Sequence, residues 1–359
     1  MNIEDYFSSD YVEARSRFLE LAEANGFALT HYRNDNAQAP DGSDLFTDVA
    51  TIGSPDAENL IVLTSGTHGV EGYCGSGVQA ALMGEGVLSG HPKVRIALVH
   101  AVNPYGFAHN RRVTEDNIDL NRNFLDFGNE EARDNGYGEL HPFLVPERWE
   151  GEHKQAANAA IGAWQEKHGA AALQQAASGG QYTHSDGIFF GGTEPGWSAR
   201  TLLHIVAELA RSAKRANFID FHTGLGPYGY GEMIAAGYPP QVARSFEFYS
   251  DYEVTDPDAG TSTSAPIQGT IAHGVERLLT DVETVFVALE YGTVPMNRVM
   301  DAVRGDNWLY QRGDLDSPLG QEIKRRIRDA FYCDEPEWKR RVWERALDVT
   351  RTTLGNLSA

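Results

Sequence analysis

The chain has little cysteine, a shortage of basic residues and no long apolar run. Cys74 and Cys333 are its two cysteines, 259 positions apart. They form no disulfide framework and match no metal-binding spacing, and such sparse cysteine suits a reducing compartment. Lys and Arg number 30 against 51 Asp and Glu, a formal charge of −21. That balance argues against nucleic acid or an anionic membrane as partner, because both require clustered cations. No run approaches the roughly 18 apolar residues of a membrane span. Met1–Tyr11 carries three acids and no base, unlike a secretory n-region. The expected setting is cytoplasmic. The 41% hydrophobic share over 359 residues supports a large core without disulfide or metal staples.

Four short apolar runs stand out: 59–64, 94–99, 217–221 and 284–289. Near-continuous runs of this kind suit strands buried on both faces of a mostly parallel sheet. Helical patterns separate them at 10–25, 73–84, 197–213 and from about 296 to 354. The expected class is α/β, with a mixed, mostly parallel central sheet flanked by helices in one domain over 1–359. Residues 128–194, with ten acids and four bases, read as an insertion or cap over that core. The stretch 321–351 holds nine bases and seven acids around Trp338, Val342, Trp343 and Leu347, the pattern of a solvated amphipathic helix.

The chemistry lies just beyond the runs. Ligands of open α/β sheets sit outside the carboxyl ends of the strands, and four runs deliver polar groups there. His68 and Glu71 follow the first run in a Gly-rich turn, where Gly66, Gly69 and Gly72 allow tight backbone bending. Residues three apart at the start of a helix can face one side, and His222 arrives from another run. His₂Glu with an open fourth position is the pattern of catalytic zinc. Each residue alone also reads as an ordinary polar loop or strand-end residue; their joint placement favours one Zn²⁺ per chain. His100 and His109 leave a second metal open.

Between 103 and 124 three bases balance three acids. Arg111, Arg112 and Arg122 can present bidentate forks to a carboxylate or a developing oxyanion. A plainer role is an ion pair with Glu115, Asp116 or Asp119, expected for at least one of them. Asn121 can donate its amide to the same anion or serve a turn. Glu290 ends the last run, where a carboxylate is costly unless it faces a cleft. There it can act as general base and then protonate a leaving amine; a strand-terminal salt bridge is the alternative.

The ordered set His68-x-x-Glu71, Asn103-Pro104-x-Gly106, Asp119-x-Asn121-Arg122-Asn123, His222 and Glu290 resembles the zinc carboxypeptidase family. It also resembles that family's aspartoacylase and succinylglutamate desuccinylase relatives, over about 59–124 and 215–293. Within the superfamily the chain looks most like a bacterial metallopeptidase-like branch. The resemblance implies His68, Glu71 and His222 as metal ligands and Glu290 as general base. It gives Asn121 and Arg122 the substrate carboxylate, and Arg112 or its neighbour Arg111 the oxyanion. The expected partner is a small peptide or N-acyl amino acid with a free carboxylate, and an oligomer is possible. The family's substrate-contacting tyrosine could be Tyr228, Tyr230, Tyr249 or Tyr252. Tyr105 stands where the family commonly has Asp. The expected function is a zinc metallocarboxypeptidase; an N-acyl-amino-acid deacylase and a metal-retaining binder without catalysis are the alternatives. Ser65 and Ser76 do not sit in G-x-S-x-G, and Gly72, Gly75 and Gly77 are in the wrong order for a dinucleotide loop.

Overall fold

All four apolar runs become strands of one eight-stranded sheet. A computed structural model describes residues 2–133 and 135–359. The strands are β1 (Ala28–Gln38), β2 (Asp44–Ile52), β3 (Asn59–Thr64), β4 (Val94–His100), β5 (Arg215–Tyr228), β6 (Gly231–Ala235), β7 (Val254–Thr255) and β8 (Glu283–Gly292). Their order is β1-β2-β4-β3-β5-β8-β6-β7. Pairing is parallel from β4 through β3 and β5 to β8, and antiparallel for β1–β2, β2–β4 and β6–β8.

Alternate residues of each central strand enter different cores, so both faces are apolar. Ile61, Leu63, Ile219 and Phe221 meet α1 (Tyr11–Ala24) and α2 (Gly72–Gly84). Leu60, Val62 and Phe218 meet the layer that later contains Leu202, Ile205 and Val275. The short α3 (Pro104–Ala108) follows β4.

The segment 128–194 forms α4 (Tyr137–Leu144), α5 (Gly151–His168) and α6 (Ala170–Ser178). After it come α7 (Trp197–Leu209), α8 (Pro239–Phe248) and α9 (Ile271–Leu278). The long C-terminal helical pattern is three helices rather than one: α10 (Met296–Arg312), α11 (Pro318–Phe331) and α12 (Pro336–Ser358). Pro318 and Pro336 each open a new helix, where their missing N–H is harmless. Trp338 and Val342 of α12 are fully buried, whereas Arg340 and Arg341 pair with Glu337 at the surface. The basic stretch 321–351 is therefore divided between two amphipathic helices, most of α11 and most of α12, rather than forming one. Among the described residues no helix is long and apolar enough to cross a membrane.

Candidate active site

Two loops interlock at the carboxyl end of the sheet. The chain leaves β3 through Gly66, whose φ of +68° only glycine adopts freely. His68 then caps a single helical turn, Gly69–Glu71, that leads into α2. Gly69 N donates to Arg112 O, and Val70 N to Arg111 O. Gly69 is needed for closeness, since a Cβ there would lie 2.0 Å from Gly106 C. Both sides of that contact are backbone, so no side chain can rotate away. Gly69→Ala is expected to cost about 1–3 kcal/mol or more through overpacking. A lowered melting temperature would show it; an unchanged melt would mean the loops can slide apart.

His68, Glu71 and His222 are all buried, and each offers a donor atom within 4.8 Å of the other two. His222 Nδ1 lies 3.2 Å from Glu71 Oε2, while its Nε2 meets Asp220 Oδ2 at 2.6 Å. Burial disfavours the charged ring, but the Asp220 and Glu71 carboxylates outweigh it and hold the His222 pKa well above its usual value. His68 goes the other way. Burial, with the charges of Arg112 and His222, drives its pKa well down, and its buried Nδ1 has no hydrogen-bond partner. Two imidazoles and a carboxylate, all buried and converging, are a donor set that fits a divalent cation. Among the described residues this is the only such group of His, Cys, Asp or Glu.

Glu290 stands beside His222 in the β5–β8 register, and Leu225 N donates to its Oε1 at 2.8 Å. Burial and the nearby Glu71 charge push its pKa up to about 8. Its side chain lines the cleft with His68, His222, Arg112, Asn121 and Arg122. Both β5 and β8 continue past these residues, to Tyr228 and Gly292, so His222 and Glu290 sit within strands rather than after them.

The arginines divide. Arg112 donates from Nη1 to Glu71 Oε1 (2.9 Å), from Nε to Asp119 Oδ2 (2.9 Å) and from Nη2 to His68 Nε2 (2.7 Å). It thus braces two of the three metal-ligand candidates. Arg111 does not line the cleft: it is buried against Asp306 and Asn117, with its guanidinium over the Tyr310 ring. Arg122 is buried, donates to Asn121 O and Ser178 O, and keeps an unpartnered Nε. Asn121 accepts from Ile271 N, and its amide NH₂ makes no hydrogen bond among the described residues.

Other expectations fall away. His100 is fully buried, stacks on Phe18 and meets Ser76 Oγ, while His109 Nε2 meets Gln38 O; among the described residues neither joins a metal cluster. Tyr228, Tyr230, Tyr249 and Tyr252 all lie off the cleft.

Two residues of the site escape sequence reasoning. Asp220 accepts from the Thr64 and Thr67 hydroxyls and holds His222, the carboxylate–histidine support typical of metal sites. Phe189 packs its ring 5.1 Å from the Arg112 guanidinium and 5.6 Å from that of Arg122. Its φ of +52° costs a bulky residue about 1–3 kcal/mol, strain of the kind that collects at functional sites.

A family model described as "Protein of unknown function (DUF2817)" matches residues 7–345. The chain belongs to the DUF2817 family. A search of curated proteins finds no match for this DUF2817 member. Its structure resembles carboxypeptidase A from Helicoverpa armigera, with TM-score 0.50 and 12% identity over 89% of this chain and 73% of that one. It also resembles thrombin activatable fibrinolysis inhibitor, with TM-score 0.50 and 11% identity over 98% and 77% of the two chains. An aspartoacylase family protein from Mesorhizobium loti aligns with TM-score 0.37 and 13% identity, over 81% and 68%. By the first two likenesses this DUF2817 chain has a carboxypeptidase-like α/β fold.

Proposed function

We propose that this protein is a metal-dependent hydrolase that cleaves an amide bond in carboxylate-bearing substrates, as a metallocarboxypeptidase acting on small peptides. The observation that carries this reading is the placement of Glu290 beside His222, with the His68–Glu71–His222 donor set and Arg122 on the same cleft. His68, Glu71 and His222 would hold zinc, which when bound supplies a Lewis acid that polarises a carbonyl and acidifies water.

The chain's own groups then divide the work. Glu290, fixed by Leu225 N, takes a proton from the attacking water and hands it to the leaving amine. Arg112 places a positive charge where the carbonyl oxygen gains negative charge, a contribution of roughly 3–4 kcal/mol for a well-placed donor. The guanidinium of Arg122 and the amide of Asn121, both on the cleft, hold the substrate carboxylate. Phe189 and Phe331 exclude water from the cleft wall.

The test is to screen zinc-loaded protein against peptides with free C-termini and against N-acyl amino acids, with and without phenanthroline. Peptide hydrolysis silenced by the chelator and restored by zinc is the expected result. Cleavage of N-acyl amino acids alone would make the protein a deacylase. Retained zinc with no hydrolysis of either class would make it a binder.

A further inference from the structure

Arg122 is gripped at three points by one segment. Its Nη2 donates to Ser178 O (2.7 Å), and its own carbonyl accepts from the Tyr182 hydroxyl (2.7 Å). The third point is the Phe189 ring, whose centroid lies 5.6 Å from the Arg122 guanidinium and 5.1 Å from that of Arg112. Phe189 and both arginines line the recess that holds Glu290.

The placement of that ring is imposed by its surroundings. The positive φ of Phe189 persists in a bulky residue only where the neighbouring structure over-determines it. Here the loop is bonded throughout: every backbone carbonyl from His184 to Gly191 accepts a hydrogen bond. Most of the donors are the side-chain amides of Gln181, Asn117, Asn307 and Asn123. Asn117 and Asn123 flank Arg122 in sequence, so the segment that bears the arginine also builds the loop that bears the ring.

Charge explains why a ring belongs there. Arg122 is buried, and its hydrogen bonds go to the neutral carbonyls of Asn121 and Ser178. Its nearest carboxylate among the described residues, Asp119, stands 3.9 Å away. A buried cation so weakly countered is costly. A close carboxylate would repay that cost, yet it would also cancel the charge an incoming anion needs. An aromatic face within about 6 Å attracts a guanidinium, more strongly where water is excluded, and carries no formal charge.

We propose that Phe189 is a positioning residue for the substrate carboxylate: its ring holds the Arg122 guanidinium, beside that of Arg112, without neutralising it. The proposal rests on the reading above that Arg122 receives a carboxylate. The side chains of the 181–191 loop thereby set the affinity for that group, although none of its polar atoms need touch it.

The test replaces Phe189 by phenylalanine carrying one, two or three ring fluorines, which withdraw electron density from the face and barely alter its shape. Phe189→Leu serves as the apolar control. Binding of acetyl-Gly-Phe and of its C-terminal amide to zinc-loaded Glu290→Gln protein is measured by titration calorimetry. Affinity for the acid should fall stepwise with the fluorines and about tenfold in Phe189→Leu. The amide should show no such trend. A second readout needs no substrate: solvent exchange of the Arg122 Nε–H, followed by nitrogen NMR on ligand-free protein, should quicken in the same order. An acid affinity indifferent to the fluorines, in protein that prefers acid to amide, would overturn the positioning role, as would exchange indifferent to them. Exchange that follows the fluorines while acid and amide bind alike would support the hold on Arg122 and overturn the carboxylate reading.

Discussion

Glu290→Gln is expected to keep its zinc and lose about 10²–10⁴-fold in kcat, the range set by a general acid–base group. The substitution is nearly isosteric. A Gln carbonyl oxygen can still accept from Leu225 N, which Glu290 Oε1 now does at 2.8 Å, so the β5–β8 register need not shift. The three donors His68, Glu71 and His222 are untouched. What disappears is the ability to accept and return a proton. Zinc content by elemental analysis alongside kcat on a cleavable peptide gives both readings from one preparation. Turnover equal to the parent's would remove Glu290 from the mechanism.

His222→Ala is expected to leave almost no zinc on the purified protein and to abolish hydrolysis. The effect has two parts. One donor of three is lost, and in the metal-free protein Asp220 and Glu71 also become buried carboxylates without the protonated ring that faces both. Removing one partner of a buried pair costs about 3–5 kcal/mol, so a melting curve must accompany the metal assay. Asp220→Asn separates the two parts: it keeps the imidazole and weakens the group that orients it. Zinc affinity should fall about 10–100-fold in that variant, as for other supports of metal-bound histidine. Near-stoichiometric zinc in folded His222→Ala would end the ligand assignment.

The four central strands were legible because they are buried on both faces, which leaves unbroken apolar runs. The β1–β2 hairpin carries Arg33, Asp35 and Asp44 on exposed positions at the sheet edge, and it sends no such signal. His68, Glu71, His222 and Glu290 were legible for a related reason: each closes or follows a run. Asp220 hides inside the run 217–221, where its neighbours Ile219 and Phe221 belong to the core. Neighbouring Arg111 and Arg112 look alike in one dimension. Their separation depends on Asp306, which lies 195 residues away from Arg111 and reaches it only through the packing of α10. Phe189 was illegible because nothing in its side chain announces a left-handed backbone.

The 128–194 segment does not sit on the molecule as a detachable cover. Leu140, Leu144 and Ala176 share one apolar cluster with Val299, Ala302 and Val303 of α10 and with Ile327 and Phe331 of α11. Val299, Val303 and Phe331 also line the recess that holds Glu290. Roof and wall therefore hold each other in place and should open to hydrogen exchange as one cooperative unit. Any change of residues that widened the recess would also loosen that unit. On the hydrolase reading, variants selected for a wider recess should therefore need compensating stabilisation elsewhere.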